Sequence, residues 1–191
     1  RASDVSCDSY PEQVRDLLKG TAGSSPFLAS LIAKEAAWLP DVIQQDPDDS
    51  FSSILTMVTE ADDANLSSVL RRAKGRVALL TGLADLGGVW SLAEVTSTLT
   101  RFADLAVSRA LRSAIRVEIQ RGKLPGQGVD DVDTAGGLAV LAMGKMGAYE
   151  LNYSSDIDLI CLFDETRFEP SDYADARASF VRAVRKMCQT L

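Results

Sequence analysis

The chain has 191 residues, 46% of them hydrophobic and 25% charged, enough to bury a core in one fair-sized domain or two small ones. Its net charge is −7, which argues against a broad nucleic-acid footprint, since that needs clustered Lys and Arg. It contains no histidine, which excludes Ser/His or Cys/His nucleophile pairs and His-ligated metals within this chain.

Cys7, Cys161 and Cys188 are odd in number and far apart, so they read as free thiols in a reducing, cytoplasmic setting. No apolar run is long enough for a bilayer, and no basic-then-apolar leader opens the chain; neither a membrane nor a secreted location is expected. The chain opens on Arg1 rather than Met, which reads as a start removed or processed.

Residues 1–122 read as helices. Ser25-Pro26 is a cap and first-turn pair, followed by Phe27, Leu28, Leu31, Ile32 and Leu39 at helical spacing. Asp46-Pro47 opens another helix, with Ile54, Leu55 and Val58 on one side. Leu66, Val69, Leu70, Ala73, Val77, Leu80 and Leu83 predict a helix that ends at Gly87-Gly88. Its basic residues Arg71, Arg72, Lys74 and Arg76 fan around the axis and read as a solvated face. Ser91-Leu92-Ala93-Glu94 fits a capping box. It opens a segment of roughly 30 residues, on the order of 45 Å as a helix, closed by Gly122. A helix that long needs partners along its length, so a bundle is expected.

Residues 123–136 carry Pro125, Gly126, Gly128 and several aspartates, and read as a linker or loop. Leu138 to Met143 is a short apolar run between glycines, expected as a buried strand. Gly144-Lys145-Met146-Gly147 reads as a turn, Ala148 to Leu151 as a short helical stretch, and Ser155 to Phe163 as a second strand. Residues 164–171 are expected as a loop, and Asp172 onward as helix.

The chemistry concentrates at Asp156-Ile157-Asp158. In a strand, residues two apart share a face, roughly 6.5–7 Å apart at Cα, so the two carboxylates can converge on a divalent cation. Mg²⁺ suits them, being a hard ion held by a few carboxylates plus substrate phosphates. The turn at Gly144-Lys145 offers free N–H groups and a positive charge to a phosphate. It is not a Walker A loop, because position 139 is Ala and position 146 is Met.

The stretch GLAVLAMGKMGAYELNYSSDIDLICLFDE resembles the signature of glutamine synthetase adenylyltransferases, G-K-L/M-G-x-x-E-L-N-F/Y-S-S-D-I-D-L. It matches at Gly144, Lys145, Met146, Gly147, Glu150, Leu151, Asn152, Tyr153, Ser154, Ser155, Asp156, Ile157, Asp158 and Leu159. The upstream segments ADLGGVWSLAEVTSTLTRFADLAVSRALR and SSPFLASLIAKE resemble the same family more loosely.

That resemblance implies an α+β, mostly helical fold: a helical bundle (1–122), a linker (123–136) and the start of a polymerase-β-like nucleotidyltransferase mixed sheet (137–191). The form E-L-N-aromatic-S-S-D-I-D is similar to the N-terminal, adenylyl-removing half of that family. It implies removal of AMP from a glutamine synthetase tyrosine by phosphorolysis, with Mg²⁺ as the ion. The implied partners are glutamine synthetase, a PII-type signal protein, phosphate and adenine nucleotide.

By the same resemblance, Asp156 and Asp158 are catalytic and metal-holding, and Gly144, Lys145 and Ser155 position phosphate groups. Lys145 stands where the wider superfamily carries Ser. Glu150 and Asn152 read either as supports of the groups that meet the metal and phosphate or as simple helix–strand braces. The superfamily's third carboxylate is expected beyond Leu191. The alternatives are the AMP-transferring half of the same enzyme, another nucleotidyltransferase, or a non-catalytic piece that docks glutamine synthetase or a PII-type protein.

Overall fold

The computed structural model describes residues 10–191, so Cys7 lies outside the described residues. Five helices precede the long one: α1 (Glu12–Ser24), α2 (Pro26–Lys34), α3 (Leu39–Gln44), α4 (Pro47–Thr59) and α5 (Leu66–Leu86). The predicted starts are built as the sequence requires. Ser25 Oγ accepts from Leu28 N–H at 3.2 Å ahead of Pro26. Asp46 accepts from Asp48 N–H at 2.8 Å ahead of Pro47. Each cap satisfies an amide that the first turn leaves unpaired.

The periodicity across Phe27–Leu39 does not run through one helix. It breaks at residues 35–38, and α3 begins at Leu39 with Pro40 in its first turn. Proline is tolerated there but not in a helix interior.

Helix α6 (Leu92–Gln120, 29 residues) is the spine. Its capping box is present: Glu94 accepts from Ser91 N–H at 2.6 Å, and Glu94 N–H donates back to Ser91 Oγ at 3.4 Å. Those bonds hold the Glu94 carboxyl below its usual range. Arg109 of α6 donates to the Val58 carbonyl in the last turn of α4 and to the Ala61 carbonyl just past it, satisfying acceptors that the helix end leaves open.

Two apolar clusters share α5. One joins α4, α5 and α6 to the later elements through Phe51, Val58, Leu66, Val77, Ile115, Phe180 and Met187. The smaller joins α1, α2 and α3 to Leu79 and Leu83 on another side of α5. The basic stretch of α5 is not uniformly solvated as expected. Arg76 pairs with the buried Glu35 at 2.8 Å and lies over the Trp38 ring.

After two single-turn 3-10 segments come β1 (Leu138–Ala142), the helical turn α7 (Gly144–Gly147), β2 (Leu159–Phe163) and α8 (Tyr173–Thr190). The strands pair antiparallel, Leu138 opposite Phe163 and Ala142 opposite Leu159. Helix α8 packs on α6, where Arg182 donates twice to the buried Glu118 at 2.9 and 2.7 Å.

Two local expectations are corrected. The second strand begins at Leu159, not Ser155, because β1 stops offering a partner: the last rung is Met143 N–H to Asp158 C=O at 2.9 Å. The helical stretch expected at Ala148–Leu151 is a turn, and the helical geometry falls earlier, at Gly144–Gly147. Tyr149, with φ +61°, is in a left-handed conformation that ends any helix there.

Candidate active site

Alternation survives beyond the strand proper. Asp156, Asp158, Ile160 and Leu162 are exposed, while Ile157, Leu159, Cys161 and Phe163 are half-buried and pack against the main core. The two aspartates therefore lie on one side of an extended segment. Neither makes an ion pair with a described residue.

The Met143–Asp158 bond places the Gly144-Lys145 turn directly beside Asp158. Gly144 takes φ +56°, a backbone that disfavours side-chained residues. Gly147 is required for a different reason: a Cβ there would overlap the Ala142 carbonyl oxygen.

The loop between the turn and the aspartates is stapled to the helical bundle at three points. Tyr149 OH donates to Asp104 of α6 at 3.2 Å. The buried Leu151 donates its N–H to Thr100 Oγ1, also on α6, at 3.4 Å. Tyr153 OH contacts Asp85 at 3.0 Å and the Thr81 carbonyl at 3.2 Å, both on α5. Burial, then the adjacent Asp85, pushes the Tyr153 phenol well above its ordinary value. A strained Tyr149 costs about 1 kcal/mol or more, so these staples hold the loop against a local cost.

Ser155 is turned inward on the same loop. Its hydroxyl donates to Asn152 Oδ1 at 2.5 Å and accepts from Asn152 N–H at 3.4 Å. Asn152 and the Ser155 proton are thus engaged with each other within the loop.

A cavity of about 800 Å³ opens beside the aspartates. Its lining includes Asn152, Tyr153, Ser155, Asp156 and Asp158, together with residues of α2, α5, α6, β2 and the last turns of α8. Cys161 and Cys188, both free, also face it; burial, then Cys188 nearby, raises the Cys161 thiol. Gly144 and Lys145 are not among its lining residues. A smaller cleft of about 310 Å³ between α6 and the sheet contains none of the predicted site residues.

The donor set suits a hard divalent cation. Two exposed, unpaired carboxylates on one side of an extended segment leave coordination positions for waters and phosphate oxygens. Among the described residues, no group of three or more His, Cys, Asp or Glu is arranged to hold a metal. No third carboxylate from residues 10–191 joins the pair.

A glycine turn and an aspartate pair lie side by side at the end of the strand ladder, an arrangement able to meet a cation and a phosphate group. The comparisons with known proteins are more specific. Residues 15–191 match the glutamate-ammonia ligase adenylyltransferase family, and the chain belongs to it.

Its curated relatives include the bifunctional glutamine synthetase adenylyltransferase/adenylyl-removing enzymes of Bradyrhizobium diazoefficiens and Caulobacter vibrioides. The first is 40% identical over 182 residues, 93% of this chain and 18% of the relative. The second is 38% identical over 172 residues, 88% of this chain and 17% of the relative. The chain thus spans about a fifth of the length of the relatives it matches. Among the described residues no helix is long and apolar enough to cross a membrane.

Proposed function

We propose that the chain carries the first part of the site that removes AMP from an adenylylated tyrosine of glutamine synthetase, by phosphorolysis, in the cytoplasm. One observation carries this reading: Asp156 and Asp158 are exposed, unpaired and on one side, and a backbone bond sets them beside the Gly144-Lys145 turn. The removing direction rests on the E-L-N-aromatic-S-S-D-I-D form of the motif, and the relatives' printed name includes an adenylyl-removing activity.

In this reading a phosphate oxygen attacks the AMP phosphorus. The new P–O bond forms as the bond to the tyrosine oxygen breaks; the tyrosine leaves with a proton and ADP is released. Asp156 and Asp158 hold Mg²⁺, which supplies charge stabilisation to the transferring phosphoryl group. The Gly144-Lys145 turn orients a phosphate group by its N–H groups and the lysine charge. Ser155 and Asn152 keep the Asp156–Asp158 segment extended, and Leu151 and Tyr153 fix it to the bundle. Residues 10–122 form the helical support and 137–191 begin the nucleotidyltransferase domain, with 123–136 between them. A PII-type signal protein is the proposed regulator.

The test is ADP release from adenylylated glutamine synthetase with phosphate and Mg²⁺, using this chain beside a longer form that continues past Leu191. Release by the longer form that disappears in Asp156→Asn supports the reading. Unimpaired release by Asp156→Asn and Asp158→Asn overturns the assignment of the carboxylates. A second reading, a docking module without catalysis, has one observation in its favour: no third carboxylate joins the pair among the described residues. It gains if the longer form binds glutamine synthetase but releases no ADP. AMP transfer onto glutamine synthetase by the longer form would instead identify the opposite half-reaction.

A further inference from the structure

The lining of the cavity beside the aspartates includes cations that the motif does not supply. Lys34, in the last turn of α2, and Arg71 and Lys74 of α5 all line it. Arg71 and Lys74 are three apart, so they share one side of their helix. The four basic residues at 71–76 therefore divide by role. Arg76 is committed to Glu35 at 2.8 Å, and Arg72 reaches the Met57 sulfur at 3.4 Å. Among the described residues, Arg71 hydrogen-bonds only within its own helix, to Ser67.

No carboxylate of a described residue lies within ion-pair distance of Lys34, Arg71 or Lys74. Among the described residues, the carboxylate side chains lining the cavity are Asp156 and Asp158. Within a chain of net charge −7, this cavity thus gathers three described cations against two carboxylates. Such a local reversal of sign concentrates anions.

Apolar side chains, among them Leu31, Leu70, Phe102, Leu159 and Met187, also line the cavity. A volume of about 800 Å³ lies within the roughly 300–1,000 Å³ typical of small-molecule sites. An apolar lining with cations in it matches a ligand that is part aromatic ring and part phosphate.

We propose that Lys34, Arg71 and Lys74 form an anion seat for a phosphate group of the reaction, in the same cavity as Asp156 and Asp158, with an adenine ring lying against its apolar lining. The inference deepens the functional reading above and rests on it. It assigns to the helical region a direct part in binding: α2 and α5 supply the cations while the motif supplies the acids.

The test is calorimetric titration of the 191-residue chain in metal-free buffer with ADP, inorganic phosphate and adenosine, repeated for Lys34→Gln/Lys74→Gln and for Arg71→Gln. The seat requires that the double variant bind ADP at least tenfold more weakly, that the loss grow as salt is lowered, and that adenosine binding be unchanged. A matching loss of inorganic phosphate binding assigns the seat to free phosphate as well; its absence assigns the seat to the nucleotide's phosphates alone.

ADP bound equally by wild type and both variants, or not bound by the wild type, overturns the seat. The two readings fail separately. If ADP release by the longer form depends on Asp156 while ADP binding ignores both lysines, the seat falls and the reaction stands. If ADP binding needs the lysines while the longer form releases no ADP, the seat stands and the reaction falls.

Discussion

The helical bundle and the signature segment are built on opposite terms. In the bundle, Leu39, Val58, Leu66, Leu79, Ala110 and Ile115 are sealed from solvent. In the signature segment only Leu138, Met146 and Leu151 are buried, and the rest of the strands shows one half-buried face and one open face carrying Leu141, Ile160 and Leu162. The bundle holds itself by apolar packing. The signature segment is held by what it borrows: Thr100 and Asp104 from α6, Thr81 and Asp85 from α5. Rigid helices thus carry stability, and a thin, tethered segment is free to present two acids to a cavity. Changes in one region should alter stability without chemistry, and changes in the other the reverse.

The largest effect expected is chemical. Asp158→Asn keeps the shape of the side chain and removes its charge. ADP release by the longer form should fall by about 10³-fold, while the thermal midpoint of this chain stays within a degree or two of wild type. The aspartate is exposed and unpaired, so nothing in the fold depends on its charge. A melt lowered as much as the activity would erase the division between the two regions.

The converse probe is Ile115→Ala. Ile115 is fully enclosed on α6, where the bundle meets α8. The truncation should cost about 2–5 kcal/mol in urea denaturation, with ADP release per folded molecule unchanged. A selective loss of turnover would mean that α6 transmits strain to the motif.

Between these two stands Gly147→Ala. The added methyl has no room against the Ala142 carbonyl, and because the obstacle is backbone, β1 or the turn must move. About 1–3 kcal/mol of stability should be lost, together with a fall in turnover, because the same movement displaces the Gly144-Lys145 turn from Asp158.

How much of this is readable in the residues themselves follows the same division. Caps are local chemistry, so Ser25-Pro26, Asp46-Pro47 and Ser91–Glu94 announce their helices directly. Asp156 and Asp158 are legible from their spacing and from the motif around them. The length of β2 is not legible, because a strand lasts only as long as its partner, and β1 leaves the ladder after Met143. Nor is the fate of Arg71, Lys74 and Arg76: which of three neighbouring cations meets Glu35 and which meets the cavity is settled by how α2 packs on α5. The tethering roles of Tyr149 and Tyr153 depend on Asp104 and Asp85, dozens of residues earlier, and no local pattern signals such a pair. A polar-tipped aromatic at each end of a glycine-poor loop is the only hint.

Tyr153→Phe gives the smallest effect and the finest test of that tether. About half of Tyr153 is open to solvent, so losing the bonds to Asp85 and Thr81 should cost only about 0.5 kcal/mol at pH 8. The pH dependence is more informative. The folded phenol is raised above its ordinary value near 10 by burial and by Asp85, so the folded state keeps a proton that the unfolded state gives up. That contribution is fully present below about pH 10 and is lost as pH rises from there towards the folded value. Urea midpoints compared at pH 8 and pH 10.5 should therefore fall more steeply for wild type than for Tyr153→Phe. Parallel falls would show that the phenol does not hold the loop to α5, and the signature segment would then depend on Leu151 and Tyr149 alone.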